Sequence, residues 1–240
     1  MQTFSLTDVG QIREMNQDYV FCEENSIGCF PNLFIVADGM GGHKAGDLAS
    51  RLCVEEVVAY IKASNKITPI SILNEAVNQA NEKIYQESQT HQEYQGMGTT
   101  MVGAVVLEKT AYVINVGDSR LYLMRDSLKQ VTRDHSLVEE MVRTGKLQKD
   151  EMRTHPQKNI ITRALGTGSK VQGDCFEIEV EKGDVLLLCS DGLSNMLEDD
   201  QIEELIREYG PDMNKTGKAL VREANAAGGK DNISVVLIRI

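Results

Sequence analysis

The order of strand-like and helix-like segments is the feature that most constrains how this 240-residue chain can fold. Strand-like apolar segments come first, two amphipathic helical segments follow, further strands come next, and a second helix pair precedes the last strand. The predicted strands cover residues 3–7, 19–23, 32–37, 101–107, 111–116, 120–125, 175–180, 185–190 and 232–240, and the predicted helices cover 43–63, a segment beginning at 69, 201–209 and about 212–226. Because helices do not alternate with strands, a Rossmann-like parallel sheet is disfavoured. We expect an α+β fold: a four-layer αββα sandwich of two mainly antiparallel β-sheets flanked by helix pairs.

No repeat, low-complexity tract or linker divides the sequence, so we expect a single domain over residues 1–240. Residues 136–160 interrupt the pattern of strands. They are polar, they carry a weak helical stripe over 136–153, and they contain the breakers Gly145 and Pro156. We interpret this stretch as an excursion over the protein surface.

The charge of the chain limits its partners. It has 36 acidic and 25 basic residues and a formal net charge of −11, and such a surface repels nucleic acid. The five cysteines have no C-x-x-C spacing, which argues against a structural zinc site and a disulfide framework. The N-terminus lacks the features of a signal peptide, and no apolar run reaches membrane-spanning length. We expect a cytoplasmic protein with no nucleic-acid partner and no membrane insertion, and we take it to be a monomer.

Aspartates lie at the ends of several predicted apolar strands. Four share this setting: Asp38, Asp118, Asp191 and Asp231. For each one alone a turn is the ordinary interpretation, because Asp-Gly is the commonest hairpin signal. Four such positions in one domain favour a shared role, although spacing alone does not show that they converge. Carboxylates that do converge repel one another unless a cation or a proton intervenes.

A site built from these aspartates would offer only oxygen ligands. Carboxylates, a backbone carbonyl and water suit Mg²⁺ or Mn²⁺ better than zinc, and the four histidines show no H-E-x-x-H spacing. The glycine-rich run at 38–46 matches neither the G-x-G-x-x-G nor the P-loop template. The G-x-S-x-G motif of serine hydrolases is absent as well.

Eight short motifs follow one another in an order that resembles a known family. They are R-E-M-N-Q-D at 13–18, A-D-G-M-G-G-H at 37–43, G-T-T at 98–100, N-V-G-D-S-R at 115–120, D-H-S at 134–136, I-T-R-A-L-G at 161–166, S-D-G at 190–192 and G-K-D-N at 229–232. Each motif is weak alone, but together they cover nearly the whole chain. The sequence resembles the metal-dependent Ser/Thr protein phosphatases (the PPM, or type 2C-like, family), in particular its compact bacterial members. The family's β-sandwich flanked by helix pairs agrees with the predicted fold.

The resemblance implies a centre of Mn²⁺ or Mg²⁺ ions with a separate role for each aspartate. Asp38 is expected to bridge two tightly bound cations, and the Gly39 carbonyl completes the first site. Asp191 and Asp231 are expected to hold the second cation. Asp118, together with Asp191, matches the position of a weaker third cation. In the family, a water between the two cations attacks phosphorus in line, without a phosphoenzyme.

The resemblance also assigns residues around the metals. Arg13 matches the phosphate-binding arginine, whose guanidinium fork suits a phosphate dianion. Asp18 matches a residue that orders metal-bound water from behind the ligands. Asn232, in the motif that contains Asp231, is grouped with the residues that support the centre or contact substrate.

The group that protonates the leaving oxygen is left open by a departure from the family pattern. In eukaryotic relatives a histidine follows the Asp-Gly pair, whereas Met40 occupies that position here. His43, three residues later, and a metal-bound water are the alternatives. Residues 136–160 match the family's flap, which affects substrate choice. His155 within it is a candidate for contacting substrate or a third-metal water, and a surface histidine is the equal alternative.

The function implied is a metal-dependent Ser/Thr protein phosphatase that acts on phosphorylated proteins and opposes a bacterial Ser/Thr kinase. One alternative is a hydrolase of small-molecule phosphoesters that uses the same site. Another is a regulatory module that keeps the fold without catalysis. The four intact aspartates argue against the regulatory module.

Overall fold

Two antiparallel sheets form the centre of the computed structural model, which describes residues 1–42 and 45–240. The first sheet contains β1 (Gln2–Asp8), β7 (Arg120–Met124), β8 (Leu128–Gln130), β10 (Val185–Cys189) and β11 (Ile233–Arg239), in the order β1-β11-β10-β7-β8. The second contains β2 (Asp18–Glu23), β3 (Leu33–Met40), β4 (Gly98–Thr99), β5 (Met101–Leu107), β6 (Thr110–Val116) and β9 (Asp174–Glu179), in the order β2-β3-β5-β6-β9, with β4 paired to β3.

The central strands are buried on both faces, which explains their unbroken apolar sequences. Side chains along a strand alternate between the two faces of the sheet. In β3, Phe34 and Val36 enter the apolar layer between the sheets, whereas Leu33 and Ile35 enter the core beneath a helix pair. Such a strand must be apolar throughout, unlike a strand with one face in water.

A helix pair covers the outer face of each sheet. Helices α1 (Ala45–Ala63) and α2 (Pro69–Thr90) share a core with the second sheet, and helices α5 (Asp199–Tyr209) and α6 (Met213–Ala226) share one with the first. The remaining helices are short: α3 (Leu137–Arg143), α4 (Asp191–Ser194) and the 3-10 helices Gln92–Tyr94 and Lys149–Thr154. The layers run helix, sheet, sheet, helix, so the predicted αββα sandwich is confirmed.

The structure refines three of the predicted segments. The strand predicted over 32–37 continues as β3 to Met40, because Gly39 and Met40 pair with β4. The strand predicted over 120–125 is followed by β8, which is too short to show a pattern in the sequence. The helix-like stretch over 136–153 consists of α3 and the 3-10 helix Lys149–Thr154. Between them lies the predicted breaker Gly145, which adopts a φ of +72°. His43 and Lys44, at the start of the helix predicted over 43–63, lie outside the described residues.

The excursion at residues 136–160 begins and ends at one point of the fold. An isolated bridge joins Ser136 to Ile161, and the Leu137 N–H donates to the Ile160 carbonyl at 2.9 Å. The chain therefore leaves the sandwich and returns to the same place. We use the term flap segment for residues 136–160.

Among the helices in the described ranges, none combines the length and the apolar character needed to cross a membrane.

We expect the apolar layer between the sheets to be a major source of stability. Leu188 is fully buried in this layer, so Leu188→Ala should lower the free energy of unfolding by about 2–5 kcal/mol through lost burial and a residual cavity. Urea denaturation measures this change. Leu107→Ala is the control: Leu107 is 38% exposed, and its loss should cost no more than about 1 kcal/mol. Equal losses in the two variants would contradict the layer's importance.

Candidate active site

Two aspartates face each other across β2 and β3. The strand register pairs Asp18 directly with Asp38, so both side chains project from the same face of the sheet, where like charges destabilise the pair. By alternation, Asp38 follows Phe34 and Val36 on the face that meets the first sheet. The two carboxyl groups therefore lie at the polar end of the apolar layer between the sheets.

Asp18 is held from the first sheet by a serine. It is 5% exposed, and its Oδ2 accepts a hydrogen bond of 2.8 Å from the Ser190 hydroxyl. The same hydroxyl oxygen accepts from the Ser234 N–H at 3.0 Å. The Asp18 carboxyl is thus fixed to the ends of β10 and β11.

Asp191 and Asp231 are brought together because Gly192 allows two loops to touch. A Cβ atom on Gly192 would lie 1.9 Å from the Asn232 carbonyl oxygen, which is far inside van der Waals contact. Asp191 is the first residue of α4, and its Oδ2 accepts a 2.9 Å hydrogen bond from the Asn195 amide. The close approach of the loops therefore sets the position of both carboxylates.

Asp118 follows β6 in a turn that His135 supports. Gly117 has a φ of +107°, and a Cβ atom there would lie 2.5 Å from the Thr100 side chain. The Gly117 N–H donates to His135 Nδ1 at 3.0 Å, and the Gly117 carbonyl accepts from the His135 N–H at 3.0 Å. Burial lowers the pKa of His135, which favours the neutral ring that this contact requires.

Arg13 belongs to the loop between β1 and β2, which Asn232 holds in place. The Asn232 amide makes three hydrogen bonds of 2.8–3.0 Å to backbone groups of this loop, at Val9, Met15 and Gln17. Arg13 itself donates to Asp231 Oδ2 at 2.7 Å. Its side chain is 50% exposed, so further guanidinium N–H groups remain for a ligand.

A cavity of about 520 Å³ joins these elements. Its walls include five of the residues predicted to form the site: Arg13, Asp38, Gly39, Asp191 and Asp231. A smaller cavity of about 40 Å³ is lined by Asp118, Asp134 and Asp191, among others. Because Asp191 and Lys158 line both, the two cavities adjoin. Tertiary structure thus brings the predicted acidic residues to one place, while their individual roles stay predictions.

Burial and mutual repulsion raise the pKa values of four carboxyl groups at the site, those of Asp18, Asp38, Asp118 and Asp191. Burial is the main reason that the pKa of Asp18 is raised to about 7, and the charges of Asp191 and Asp231 add to it. Burial, followed by repulsion from Asp231, raises the pKa of Asp191 to about 6. For Asp38 and Asp118 the pKa lies well above its ordinary value for the same two reasons.

The chemistry of the donors fits divalent cations. Three buried carboxylate oxygens have no hydrogen-bond partner within the described chain: Oδ1 of Asp18, of Asp118 and of Asp191. Such oxygens are costly to bury unless a cation or proton compensates them, and carboxylate oxygens are the ligands that Mg²⁺ and Mn²⁺ take.

The carboxylates are not yet arranged around one point. In residues 1–42 and 45–240, no three Asp, Glu, His or Cys side chains form a group ready to hold a metal. Arg13 donates to an oxygen of Asp231, and the Asn195 amide donates to an oxygen of Asp191. The Oδ1 atoms of Asp18, Asp118 and Asp191 have no such partner among the described residues and are the donors available to a cation.

Of the two predicted histidines, the structure describes only His155, and it does not place His155 in either cavity. His155 ends the 3-10 helix of the flap segment, and its Nδ1 accepts from the Gln157 N–H at 3.1 Å. It lines neither the larger nor the smaller cavity. His43 lies outside the described residues. The roles proposed for both histidines stay predictions.

Three residues at the site were missed by the sequence analysis: Ser190, Lys158 and Lys230. Ser190 had a usable signal, because it precedes Asp191 within the S-D-G motif. Lys230 had the same kind of signal, because it lies within the G-K-D-N motif at 229–232. Lys158 had none, because solvated lysines are ordinary in a polar flap. Both line the larger cavity.

Comparison with known proteins agrees with this geometry. The sequence matches the protein phosphatase 2C family over residues 11–235. It is similar to protein phosphatase PhpP of Streptococcus pneumoniae, with 42% identity over 247 residues that cover 99% of this chain and 97% of that protein. The structure resembles the S. agalactiae serine/threonine phosphatase, with a TM-score of 0.92, 36% identity and coverage of 100% and 99% of the two chains. It also resembles the catalytic domain of serine threonine protein phosphatase PstP in complex with two manganese ions, with a TM-score of 0.86, 32% identity and coverage of 98% and 96%.

The contact at Gly192 predicts a strong effect of a single methyl group. Gly192→Ala would force the loops that carry Asp191 and Asp231 apart, so we expect the free energy of unfolding to fall by about 1–3 kcal/mol or more. Gly168→Ala is the matched control, because a Cβ atom there would lie 3.8 Å from its nearest neighbour. Thermal denaturation of the two variants measures the difference. A Gly192→Ala protein as stable as the control would show that the contact does not constrain the loops.

The raised pKa values predict how stability depends on pH when divalent ions are removed by a chelator. The pKa of Asp18 is about 7 and that of Asp191 about 6 in the folded protein, against an ordinary value of 3.8. The folded state therefore binds more protons than the unfolded state between about pH 4 and pH 7, so this contribution to stability is complete below about pH 4 and is lost as the pH rises.

We expect the melting temperature in chelator to fall by several degrees between about pH 5 and pH 8. Asp18→Asn should flatten this dependence, because it removes one of the titrating groups, whereas Asp150→Asn on the exposed face of the flap segment should leave it unchanged. A melting temperature that rises over this range, or an unaltered slope in Asp18→Asn, would contradict the pKa assignment.

Proposed function

This chain belongs to the protein phosphatase 2C family and is a serine/threonine protein phosphatase, and from this premise we propose that its catalytic centre is the carboxylate cluster beneath Arg13. The observation that carries the proposal is a set of buried carboxylate oxygens without hydrogen-bond partners among the described residues, at Asp18, Asp118 and Asp191. Asp118 and Asp191 line the smaller cavity, and Asp191 also lines the larger one together with the half-exposed Arg13. Anionic donors for cations and a guanidinium for phosphate are the two parts that phosphoester hydrolysis needs.

The assignment of residues to cations is the one that the family resemblance implies, and the residues concerned line the two cavities. Asp38 and the Gly39 carbonyl would serve the first cation, and Asp191 and Asp231 the second. Asp118 and Asp191 would hold a weaker third cation, because both line the smaller cavity. Divalent cations, when bound, activate water and offset the charge of the phosphoryl oxygens. Manganese or magnesium suits these oxygen ligands.

Arg13 binds and orients the phosphoryl group in this proposal. Its contact with Asp231 fixes one edge of the guanidinium, so its other N–H groups are directed by a preformed pair rather than by a free side chain. Asn232 holds the loop that carries Arg13 and therefore sets the distance from Arg13 to the carboxylates. Arginine can donate two parallel hydrogen bonds to the oxygens of one phosphate group, and in this it binds phosphate better than lysine does.

In this proposal, Asp18 does not bind a cation directly but supports the groups that do. It is too deeply buried to reach a substrate, and its hydrogen bond from Ser190 holds one of its oxygens in place. Its other oxygen is free to order a water or a neighbouring ligand. Met40 lines the cavity and has no proton to give, so we assign protonation of the leaving oxygen to water.

Phosphorylated proteins are the substrates that suit the surroundings of the cavity. Ile12, beside Arg13, and Ile160, in the flap segment, are 68% and 44% exposed, and exposed apolar side chains next to a site favour contact with a polypeptide over a small polar molecule. Phosphoserine and phosphothreonine in proteins are the products of Ser/Thr kinases, so a bacterial Ser/Thr kinase is the enzyme that we propose as the source of such substrates.

The proposal predicts activity that depends on divalent cations and on Asp38. Hydrolysis of a phosphoserine peptide should require Mn²⁺ or Mg²⁺ and stop in excess chelator. Asp38→Asn should lower kcat/KM by more than about 100-fold. Loss of a residue that only supports a metal ligand typically costs about 10- to 100-fold, and loss of the ligand itself should cost more. His91→Ala, at the exposed end of α2, is the control and should change it less than about twofold. Phosphate release measures both. Full activity in chelator, or equal activity of the two variants, would overturn the assignment.

A further inference from the structure

Two lysines line the candidate active-site cavity in addition to Arg13: Lys158 of the flap segment and Lys230 of the loop before β11. We infer that they form a subsite for an acidic side chain next to the phosphorylated residue, so that this phosphatase prefers phosphosites flanked by aspartate or glutamate. This inference rests on the proposed function and names the class of substrate that the site favours.

Lys158 is placed at the junction of the two cavities. It lines the larger cavity with Asp38 and Asp191, and it lines the smaller one with Asp118. Its backbone N–H donates to the His155 carbonyl at 3.1 Å, which fixes the local turn of the flap segment. Lys158 is half-buried, and it contributes to the walls of both cavities.

Lys230 is placed by a tightly held turn. The preceding Gly229 adopts a φ of +50°, its N–H donates to the Ala224 carbonyl at 3.1 Å, and its carbonyl accepts from the Gln11 N–H at 2.8 Å. The turn is therefore tied both to α6 and to the loop that carries Arg13. Lys230 follows directly from it and is exposed at the mouth of the cavity.

The ammonium groups of the two lysines form no ion pair with another described residue. Arg13 is paired with Asp231 at 2.7 Å, whereas neither Lys158 nor Lys230 has a carboxylate at ion-pairing distance among the described residues. The phosphoryl group is taken by Arg13 and the carboxylate-bound cations of the proposed function. The two ammonium groups are thus left for a second negative charge on the substrate.

The cavity has room for more than a phosphorylated side chain. Its volume of about 520 Å³ lies in the range of about 300–1,000 Å³ that accommodates drug-sized ligands. The protein as a whole carries a net charge of −11 and repels acidic peptides at long range. Local lysines are therefore needed if an acidic segment is to bind, and their effect should be sensitive to salt.

The test compares two phosphoserine peptides of the same length in which both residues beside the phosphoserine are either aspartate or asparagine. Phosphate release in the presence of Mn²⁺ gives kcat/KM for each, and the ratio of the two values cancels any general change in activity. We expect the wild-type protein to prefer the aspartate peptide by about fourfold or more, because each exposed ion pair contributes about two- to fivefold.

Lys158→Gln and Lys230→Gln should each lower this ratio by about two- to fivefold, and the double variant should bring it close to one. Lys218→Gln is the matched control, because Lys218 is an exposed lysine on α6 away from the cavity. The wild-type ratio should also decline between about 0.05 and 0.5 M salt. This last measurement needs no variant and does not depend on how the substitutions fold.

The outcomes separate the subsite from the proposed function. A wild-type ratio near one, a ratio that survives in the double variant, an equal drop in Lys218→Gln or a ratio that salt does not change would overturn the subsite while leaving phosphatase activity intact. Failure of the wild-type protein to hydrolyse either peptide with Mn²⁺ would instead overturn the proposed function, and the subsite with it.

Discussion

The opposition of Asp18 and Asp38 across β2 and β3 is the constraint around which the rest of the site is organised. Antiparallel register makes the two residues partners, and alternation places both on the face that closes against the other sheet. Burial in this position raises the pKa of each carboxyl group. A stable fold of this kind needs protons or cations at the end of its inner layer, so the requirement for positive charge arises from the architecture itself.

Polar residues of the first sheet lie opposite these two aspartates and contact Asp18. Ser190 follows the inward-facing apolar residues of β10, whereas Ser234 precedes those of β11. The Ser190 hydroxyl links Asp18 to both strand ends. Gly192 then lets the next residues approach the Asn232 carbonyl closely enough to bring Asp191 beside Asp231. Asn232 extends the same contact to the loop of Arg13. The cation-binding and phosphate-binding parts are therefore mechanically connected.

The charge of the whole surface and the charge within the cavity have different effects in this molecule. The surface as a whole is acidic, with a net charge of −11, and the floor of the cavity concentrates carboxylates. The walls contributed by the Arg13 loop, the flap segment and the turn before β11 carry positive side chains instead. Cations bound at the floor and ammonium groups on the walls would make the cavity attractive to anions, although the protein repels them elsewhere.

The sequence by itself determined the sandwich fold, because the order of its strands and helix pairs and its unbroken apolar strands leave few other arrangements. It also marked four site residues through their place beside strands and within ordered motifs: Asp38, Asp118, Asp191 and Asp231. It did not predict that Asp38 lies inside β3 opposite Asp18, since register depends on a partner strand and on pairing with β4. Nor did it mark Lys158, whose residue type is ordinary in a polar loop, and it contained Lys230 only as one member of the G-K-D-N motif. Only the tertiary structure decided which loops meet at the end of the inner layer, because that meeting depends on contacts between residues as distant in sequence as Asp18 and Ser190.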